Sequence, residues 1–417
     1  MTTAAESRSQ TDQPSTNPPR GEAETELDHL LRQARELRPL LLAEQEATER
    51  RTRYSPEVHE RFLAAGFYRM LQPRRFGGLE LGVAAFYQVI AEIARGCPST
   101  AWCLCLGAEH SLHVGSFFSE RAQQEIFGEH GYCISPASGN ASKPRVTRVP
   151  GGYRISGTWS YSSGAPYSTH FMGFVTLPAD AVPPGGQPGS YWFVVPRGGY
   201  TMLDDWNGVI GMRGSGSNSV VLDDAFVPDH LITSIAAMQA SDGDTPGSRL
   251  HGNPLYAGTF TGFSEGDIAA IAAGTAMAAI DEYEQRVKVR KSAGRRQADS
   301  PDYQRWLGTA LSWADAATAI TIRGGQLYEE YARRSVAGVE PFGYATSVRL
   351  RNMYFTAQQL AWDTVDLLLR TAGSGATMDG QRLQRYFRDM VAIRTRFDLL
   401  ERAAPEMGRL YLGVEAS

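Results

Sequence analysis

The sequence predicts an α+β fold that is mostly helical, with an N-terminal helical domain, a middle antiparallel β domain and a C-terminal four-helix bundle. Helical periodicity dominates residues 25–134 and returns in long segments from residue 263. Between about 135 and 235 the period shortens to two, and Gly, Pro, Ser and Val become frequent. We therefore place a disordered tail at 1–22 and domains at 23–134, 135–240 and 241–417.

The N-terminal domain is predicted from apolar residues that recur every three or four positions. The first amphipathic stripe comprises Leu27, Leu30, Leu31, Ala34, Leu37 and Leu41. A second helix is expected near Pro56–Met70, because Ser55 can cap it and proline suits the first helical position. Another follows at Val83–Ala94. A fourth is expected to run through Phe118, with Ser99 or Thr100 as its cap.

The β domain is predicted from short segments in which apolar and polar residues alternate. Tyr153–Trp159 shows this alternation, and Tyr191–Val195 and Val220–Leu222 are further expected strands. Pro178–Gly189 is rich in Pro and Gly and is expected to be a surface loop. No helical pattern separates these strands, which favours an antiparallel sheet or small barrel over a dinucleotide-binding βαβ unit.

The C-terminal part is predicted to contain four long helical segments, near 265–293, 303–335, 345–371 and 381–412. The first is rich in alanine and also carries Gly266 and Gly274. Small residues on a long helix indicate close helix packing inside a bundle.

The composition excludes several classes of protein. The 417 residues carry a net charge of −4, so a polyanion-binding surface for nucleic acid is not expected. No apolar run approaches the ~20 residues of a membrane span. Four cysteines do not make a disulfide framework in a chain of this length, and the polar N-terminus lacks a signal-peptide core. We therefore expect a cytoplasmic protein without a membrane segment.

Simple chemical motifs are also missing. Cys97, Cys103 and Cys105 do not have zinc-motif spacing, and Glu109–His113 reverses the zinc-peptidase order, so we predict no metal site. The glycine-rich stretches at Gly214–Ser219 and Gly373–Met378 lack the closing glycine of a dinucleotide loop.

Three ordered sets of motifs resemble the acyl-CoA dehydrogenase superfamily. The first set comprises Gly66–Tyr68, Pro73–Glu80 and Gly96–Trp102. The second comprises Gly157–Gly164, Gly211–Asn218 and Asp223–Pro228. The third comprises Arg290–Gly294, Ala372–Gly375 and Gln384–Asp389. Within the superfamily, the Trp-Ser-x-Ser-Ser-Gly and Arg-Gly-Ser-Gly-Ser-Asn sequences are most similar to the two-component flavin-dependent monooxygenases related to 4-hydroxyphenylacetate 3-hydroxylase (oxygenase component).

The resemblance implies a cofactor, partners and a reaction. Such enzymes receive reduced FMN from a separate flavin reductase, although FAD is an alternative, and form a C4a-hydroperoxyflavin with O2. A hydroxyl group then passes to the substrate, here expected to be a small or natural-product-like molecule, free or tethered to a carrier. Members of the family are commonly homotetramers, and the same assembly is expected here.

The resemblance also assigns candidate site residues. Ser163 matches a family position near N5 of the flavin. Ser138 matches a second family serine, which lies near the flavin or the substrate. Both are therefore candidate catalytic residues. Trp102 and Trp159 are candidates for walls of the flavin ring. The remaining candidates for cofactor binding are Ser162, Arg213, Ser217, Arg290, Gly373 and Gly375, of which the last three match positions around the cofactor phosphate, partly across a subunit interface. The candidates for substrate binding do not come from the resemblance: His110 and His113 are expected near a pocket wall, and Arg394 or Arg396 could pair with an acidic substrate group or a carrier-tethered chain.

Each candidate has a structural alternative. The serines are also typical of a tight turn. The tryptophans and histidines could equally belong to a buried core, and the arginines to a solvated surface. The region Met390–Arg396 also departs from the family, because it has neither the carboxylate of the dehydrogenases nor the histidine of the phenol hydroxylases, which Val391 replaces. Some dehydrogenases place the base at the start of the alanine-rich helix, where Glu265 and Asp267 stand. An FAD-dependent acyl-CoA dehydrogenase-type oxidoreductase with either acid as base therefore stays open.

Overall fold

A computed structural model of the protein describes residues 25–183, 185–292, 294–395 and 399–414. The tail predicted at 1–22 lies outside these residues. The described chain opens with helices α1 (Glu26–Arg51), α2 (Pro56–Ala65), α3 (Val83–Gly96), α4 (Pro98–Ala108), α5 (His110–Phe117) and α6 (Glu120–Gly128).

The predicted helix starts are confirmed for α2 and corrected for α4. The Ser55 side chain accepts a hydrogen bond from the Val58 backbone N–H, and Pro56 occupies the first turn. Helix α4 begins earlier than predicted, with Cys97 at the N-cap and no side-chain cap, because Pro98 suits its first turn. Ser99 and Thr100 lie inside the helix. The segment predicted to run unbroken to Phe118 is also interrupted at Glu109, between α4 and α5.

Eight strands follow: β1 (Ala137–Ser138), β2 (Ala141–Val149), β3 (Gly152–Ser162), β4 (His170–Leu177), β5 (Gly189–Pro196), β6 (Thr201–Met202), β7 (Asn218–Pro228) and β8 (Ile232–Ser234). They form two four-stranded sheets in the orders β1-β4-β5-β8 and β2-β3-β7-β6. Every neighbouring pair is antiparallel except β1 and β4, which run parallel from Ala137 opposite Met172. The parallel pair was not predicted. It is possible because β2 and β3, in the other sheet, provide the crossover connection that parallel strands need.

The C-terminal part comprises α7 (Ile235–Gln239), α8 (Pro246–His251), α9 (Phe260–Phe263), α10 (Gly266–Val289), the short strands β9 (Lys291–Ser292) and β10 (Arg295–Arg296), α11 (Pro301–Val336), α12 (Tyr344–Thr371), α13 (Arg382–Arg394) and α14 (Leu399–Leu412). Helices α10 and α12 pack against each other within the bundle. Helices α11 and α13 each contact both of them. The fourth predicted segment, 381–412, is two helices, because α13 ends at Arg394.

Two hydrophobic cores hold these elements together. One core runs through α1, α3, α4 and the bundle helices, so the two helical parts of the chain share their packing. A Cβ atom at Gly274 of α10 would lie 2.2 Å from the Ala91 carbonyl oxygen of α3, which confirms the close packing predicted from small residues. The second core fills the space between the sheets and α6. None of the described helices has the length and apolar character needed to cross a membrane.

Candidate active site

A cavity of about 960 Å³ lies where α4, α5 and the start of α10 meet the two sheets. Aromatic side chains make much of its wall: Trp102, Tyr161, Phe174, Trp192, Trp206, Phe260 and Phe263. Its polar lining includes Ser138, Asn140, Ser163, Ser215, Ser217, Glu109, His110, His113, Glu265, Asp267 and Thr395. No arginine or lysine of the described chain lines it. The volume is at the upper end of the ~300–1,000 Å³ found for ligand pockets, which suits a large ring system together with a second molecule.

A chain of hydroxyl groups stands in this wall beside Trp102. The indole Nε1–H of Trp102 donates to Ser163 Oγ at 2.9 Å, and Ser163 Oγ lies 2.7 Å from Ser217 Oγ. Ser217 Oγ is in turn 2.6 Å from Ser215 Oγ. We call Ser163, Ser217 and Ser215 the serine relay. Because the relay is buried and its first member accepts a fixed N–H, its hydroxyl groups are preorganised to exchange a hydrogen bond with a ligand.

The backbone around Ser163 explains how its side chain reaches Trp102. Tyr161, just before the end of β3, has a φ of 61°, and Gly164 has a φ of 83°. A Cβ atom at Gly164 would lie 3.2 Å from the Cys103 carbonyl oxygen, so the turn closes directly onto α4. The Gly164 N–H donates to the Ser215 carbonyl at 2.9 Å and thereby joins both ends of the relay.

The glycine-rich loop that carries Ser215 and Ser217 is held between α4 and α13. A Cβ atom at Gly211 would lie 1.8 Å from the Arg388 carbonyl oxygen, and the Met212 N–H donates to Asp389 Oδ1 at 2.6 Å. The Cys103 thiol donates to the Ser215 carbonyl at 2.9 Å. Burial raises the pKa of the Asp389 carboxyl to about 7, although the Met212 N–H opposes that rise. The loop is therefore fixed by helices that do not themselves carry the relay.

Ser138 also lines the cavity, but its hydroxyl is occupied locally. Its Oγ donates to the Ser160 carbonyl at 2.5 Å and accepts from the Asn140 N–H at 3.1 Å. Its role as a catalytic residue stays a prediction, and the contacts favour a structural part in the turn after β1.

His110 and His113 of α5 both reach the cavity and are buried. Burial lowers the pKa of His110 to about 4 and that of His113 well below its ordinary value. His110 Nδ1 donates to the Leu106 carbonyl at 2.9 Å, because a carbonyl can only accept. The His113 ring lies 5.0 Å from that of Phe260 and 5.4 Å from that of Phe263. Both histidines are thus neutral members of a mostly aromatic wall.

Carboxylates converge on the same cavity at the start of α10. Glu265, with a φ of 79°, precedes the helix and accepts from the Gln358 side chain through its carbonyl oxygen at 3.1 Å. Asp267 is buried in the first turn. Ligand atoms of Asp267, Glu109 and Cys105 lie within 4.8 Å of one another. The place of Glu109 in the cavity wall was not predicted from the sequence, although it opens the Glu109–His113 stretch.

Two candidates for cofactor binding do not reach the cavity. Trp159 is fully buried in the second core, donates through Nε1 to the Phe174 carbonyl at 3.1 Å, and lies 5.4 Å from the Phe193 ring. Ser162 Oγ donates to the Trp159 carbonyl at 3.3 Å. Neither side chain lines the cavity, so their part in cofactor binding stays a prediction that the cavity does not support.

The candidate arginines near the cavity also point elsewhere. Arg213 is exposed, and its Nε donates to the Val209 carbonyl at 2.9 Å. Arg394 is exposed on α13, where it donates to the Gln359 side chain and lies 5.3 Å from the Trp362 ring centre. Thr395 rather than Arg394 lines the cavity, so the substrate contact of Arg394 stays a prediction. Arg396 lies outside the described residues.

Arg290 and the glycines of residues 373–375 do come together, but far from the cavity. A Cβ atom at Gly375 would lie 3.2 Å from Arg290 Nη1 and 3.3 Å from Arg286 Nη2. Arg286 is buried, and its Nη2 has no hydrogen-bond partner among the described residues. Gly373 has a φ of 80°. The group forms a candidate anion site at the end of α10 opposite to Asp267.

Sequence reasoning missed most of the aromatic wall. Trp192, Trp206, Phe260 and Phe263 come from four separate segments and belong to no local motif. A strand or loop aromatic residue is more often part of a core, so only the tertiary structure reveals that these face one cavity.

Comparisons with known proteins agree with this arrangement. The family model described as "Acyl-CoA dehydrogenase, N-terminal domain" matches residues 26–126, and "Acyl-CoA dehydrogenase, C-terminal domain" matches residues 267–397. The chain is 31% identical over 361 residues to the flavin-dependent monooxygenase oxygenase subunit HsaA of Rhodococcus jostii, which covers 86% of this chain and 91% of that one. It is 30% identical over 363 residues to a pigment production hydroxylase of Rhodococcus sp., covering 85% and 88%.

The structure is also similar to a solved structure that contains a reduced flavin. XiaF from Streptomyces sp., in complex with FADH2 and glycerol, superimposes with a TM-score of 0.83 and 25% sequence identity. The match covers 93% of this chain and 96% of that one. Both sheets and both helical parts therefore have counterparts in that protein.

Proposed function

The chain belongs to the acyl-CoA dehydrogenase family, within its flavin-dependent monooxygenases, and from that premise we propose that it is the oxygenase component of a two-component system that hydroxylates an aromatic substrate. The observation that carries the proposal is the serine relay beside Trp102 in a large, aromatic cavity. A separate reductase would deliver the reduced flavin, as the names of the oxygenase-component relatives imply for those proteins.

The residues around the relay fit a flavin ring. Trp102 offers a flat apolar surface, and the Ser163 hydroxyl, held by Trp102 Nε1–H and Ser217, suits a partner that both donates and accepts. When bound, reduced flavin supplies the electrons that allow O2 to be split, with one oxygen atom passing to the substrate. Ser163 Oγ would hold a proton at the edge of the ring, and the aromatic wall would exclude water.

The substrate would lie in the part of the cavity between α5, α9 and α10. Phe260, Phe263 and Trp192 surround the neutral His113 there, with ring centres 5.0–5.4 Å from that of His113. Such a wall suits an aromatic substrate through ring packing and burial of apolar area. The relatives' names, among them resorcinol and indole-3-acetate, likewise describe aromatic compounds for those proteins.

A homo-oligomer, proposed as a tetramer, would explain the distant group at Arg286, Arg290 and Gly375. Asp267 and Arg290 are 23 residues apart along α10, which corresponds to about 35 Å at the helical rise. A cofactor phosphate at this group is too far away to belong to a ring in the same chain's cavity. We propose that it serves the cavity of another copy of this chain, with Arg286 Nη2 as a donor.

A second function, an FAD-dependent dehydrogenase of acyl thioesters, is favoured by one observation. Glu265 and Asp267 both line the cavity, so either carboxylate is placed to remove a proton from a substrate there. The monooxygenase remains the main proposal because the serine relay and the monooxygenase relatives support it.

Isotope-labelled oxygen separates the two functions. The protein is loaded anaerobically with reduced FMN or reduced FAD, mixed with ¹⁸O₂ and an aromatic panel of indole, 2-naphthol and resorcinol, and the products are examined by mass spectrometry. We expect one labelled oxygen atom per product molecule. The proposal is overturned if flavin is reoxidised without labelled product across the panel while protein-bound FAD is reduced by acyl-CoA thioesters.

A further inference from the structure

Asp267 carries a carboxylate oxygen that lacks a partner although the side chain is 3% exposed. Its Oδ1 makes no hydrogen bond with any residue in the described part of the chain. The side chain lines the cavity proposed to hold substrate. Because an unpaired buried carboxylate is strongly unfavourable, this oxygen is placed to receive a hydrogen bond from a ligand.

The groups that face Asp267 are a thiol, a carboxylate and two phenols, of which Tyr87 already donates to the Phe263 carbonyl. Cys105 of α4 and Glu109 lie within 4.8 Å of it, and burial raises the pKa of the Cys105 thiol well above its usual value. His110 Nε2 lies 3.5 Å from Glu109 Oε1, while His110 Nδ1 donates to the Leu106 carbonyl. Tyr87 of α3 and Tyr354 of α12 also face this carboxylate, and burial raises the pKa of both phenols.

No cation compensates Asp267 from within the cavity. Arginine and lysine are absent from the lining formed by the described residues, and no ion pair of Asp267 occurs among them. Asp267 stands in the first turn of α10, at the positive end of the helix dipole. Among the described lining residues, the cavity therefore presents a carboxylate acceptor without a neighbouring Arg or Lys.

We propose that Asp267 determines substrate choice by accepting a hydrogen bond from an O–H or N–H group carried on the substrate's aromatic ring. The substrate class is then hydroxyaromatic or N–H heteroaromatic compounds that carry no carboxylate of their own. This inference rests on the proposed function, because it assigns the same cavity to an aromatic substrate. It places the anchor on α10 and not at Val391 of α13, the position where the similar phenol hydroxylases have a histidine.

The chemistry also indicates which ligands the cavity rejects. A carboxylate on the substrate would meet Asp267 and Glu109 without a compensating cation, so acids are expected to bind weakly. A divalent metal ion on Cys105, Glu109 and Asp267 is less favoured, since the raised pKa keeps the Cys105 thiol protonated and a thiol binds metals poorly.

Ligand binding without turnover tests the proposal. Two pairs of ligands differ only in whether they carry an N–H or O–H donor. These are indole with 1-methylindole, and 2-naphthol with 2-methoxynaphthalene. A fifth ligand, 2-naphthoate, represents the aromatic acids. Dissociation constants are measured on the full chain by isothermal titration calorimetry, because indole and naphthalene rings fluoresce in the same range as Trp102, Trp192 and Trp206 of the cavity. For the wild type we expect each donor to bind roughly 10-fold more tightly than its methylated partner, the size of one hydrogen bond to a charged group.

Substitutions then assign the preference to Asp267. In Asp267→Ala the ratio is expected to fall to about one, and in Asp267→Asn to about three, because a neutral amide oxygen accepts more weakly. Asp281→Asn is the matched control: it changes the same residue type on the same helix, but at an ion pair with Arg95 outside the cavity. This control should keep the wild-type ratio.

Three results would overturn the inference. The first is an affinity ratio between donor and methylated ligand that is unchanged in Asp267→Asn, and the second is tight binding of 2-naphthoate. The third is a donor preference that disappears after treatment of the wild type with EDTA, which would point to a metal ion. If Asp267→Ala does not fold, Asp267→Asn alone decides. Failure of the proposed function is seen separately, as a lack of labelled product, and leaves the measured donor preference intact.

Discussion

The indole Nε1–H of Trp102 donates to Oγ of Ser163 across 2.9 Å, linking α4 to the end of β3 inside the cavity. A second hydrogen bond joins the same hydroxyl of Ser163 to Ser217 Oγ, which lies 2.7 Å away. A ligand that meets Ser163 therefore finds a hydroxyl group whose position is already determined before binding.

Removing the Ser163 hydroxyl should impair the use of oxygen. In Ser163→Ala the proposed partner at the flavin edge is lost, so we expect several-fold more hydrogen peroxide released per reduced flavin oxidised, and correspondingly less product. The measurement is the ratio of peroxide to product after reduced FMN and oxygen are supplied with an aromatic substrate.

Ser162→Ala is the matched control for this change. It removes a neighbouring buried hydroxyl that donates to the Trp159 carbonyl and does not reach the cavity. Its peroxide ratio should equal that of the wild type. Equal effects of the two substitutions would contradict the assignment of Ser163 to the cofactor.

The buried histidines should make the protein lose stability in acid. Burial lowers the pKa of His170 to about 4 from an ordinary value of 6.5, so the unfolded chain takes up the proton first. The stabilising contribution is complete above about pH 6.5 and is lost as the pH falls toward 4. Thermal unfolding of His170→Gln across this range should depend less on pH than that of the wild type.

An exposed histidine provides the comparison for that experiment. His29→Gln removes an exposed imidazole from the surface of α1 and is measured over the same pH range as the comparison. If His170→Gln and His29→Gln show the same pH dependence as the wild type, the burial of a neutral imidazole at 170 does not affect stability.

Asp389 should have the opposite dependence on pH. Burial raises the pKa of its carboxyl from 3.8 to about 7, so its stabilising contribution is present at low pH and is lost as the pH rises through about 7. Asp389→Asn keeps an oxygen that can accept from the Met212 N–H. The melting temperature of this variant should therefore rise relative to the wild type between about pH 4 and pH 7 and level off above that. A constant difference would contradict the raised pKa.

A side chain at Gly211 should disturb the loop that carries the relay. A Cβ atom at Gly211 would lie 1.8 Å from the Arg388 carbonyl oxygen. Because that oxygen belongs to the backbone and the Cβ is bonded to it, neither atom can move aside by a side-chain rotation. Gly211→Ala should lower the free energy of unfolding by about 3 kcal/mol, the upper range for overpacking. Gly198→Ala has open space around its new Cβ and should change it by less than about 0.5 kcal/mol. Chemical denaturation compares the two, and equal stabilities would refute the close contact.

The sequence could predict the helices, strands and their order because those depend on local periodicity and on caps such as Ser55. It could not decide which of two neighbours faces the cavity. Ser163 reaches it and Ser162 does not, because a turn with Tyr161 at a positive φ separates their directions. Likewise, Thr395 lines the cavity and Arg394 does not. The two residues are neighbours at the end of α13, and the sequence does not show which of them the helix directs toward the cavity.

Features that depend on distant segments were beyond local reasoning. The approach of Asp267 to Glu109 requires α10 to pack against α4 and α5, and nothing in either segment encodes the other's position. The two tryptophans proposed for one role also separate, since Trp102 lies on the cavity and Trp159 in the core between the sheets. Similar motifs identified the family, whereas the assembled fold determines which residues meet.

The central claim, that this cavity takes a reduced flavin at Ser163, is tested most directly by anaerobic titration. The purified wild type, Ser163→Ala and Ser162→Ala are titrated with reduced FMN and reduced FAD, and binding is followed by tryptophan fluorescence. The account predicts saturable binding of a reduced flavin, weakened roughly 10-fold in Ser163→Ala and unchanged in Ser162→Ala. Absence of binding by both reduced flavins, or equal affinity in all three proteins, would contradict it.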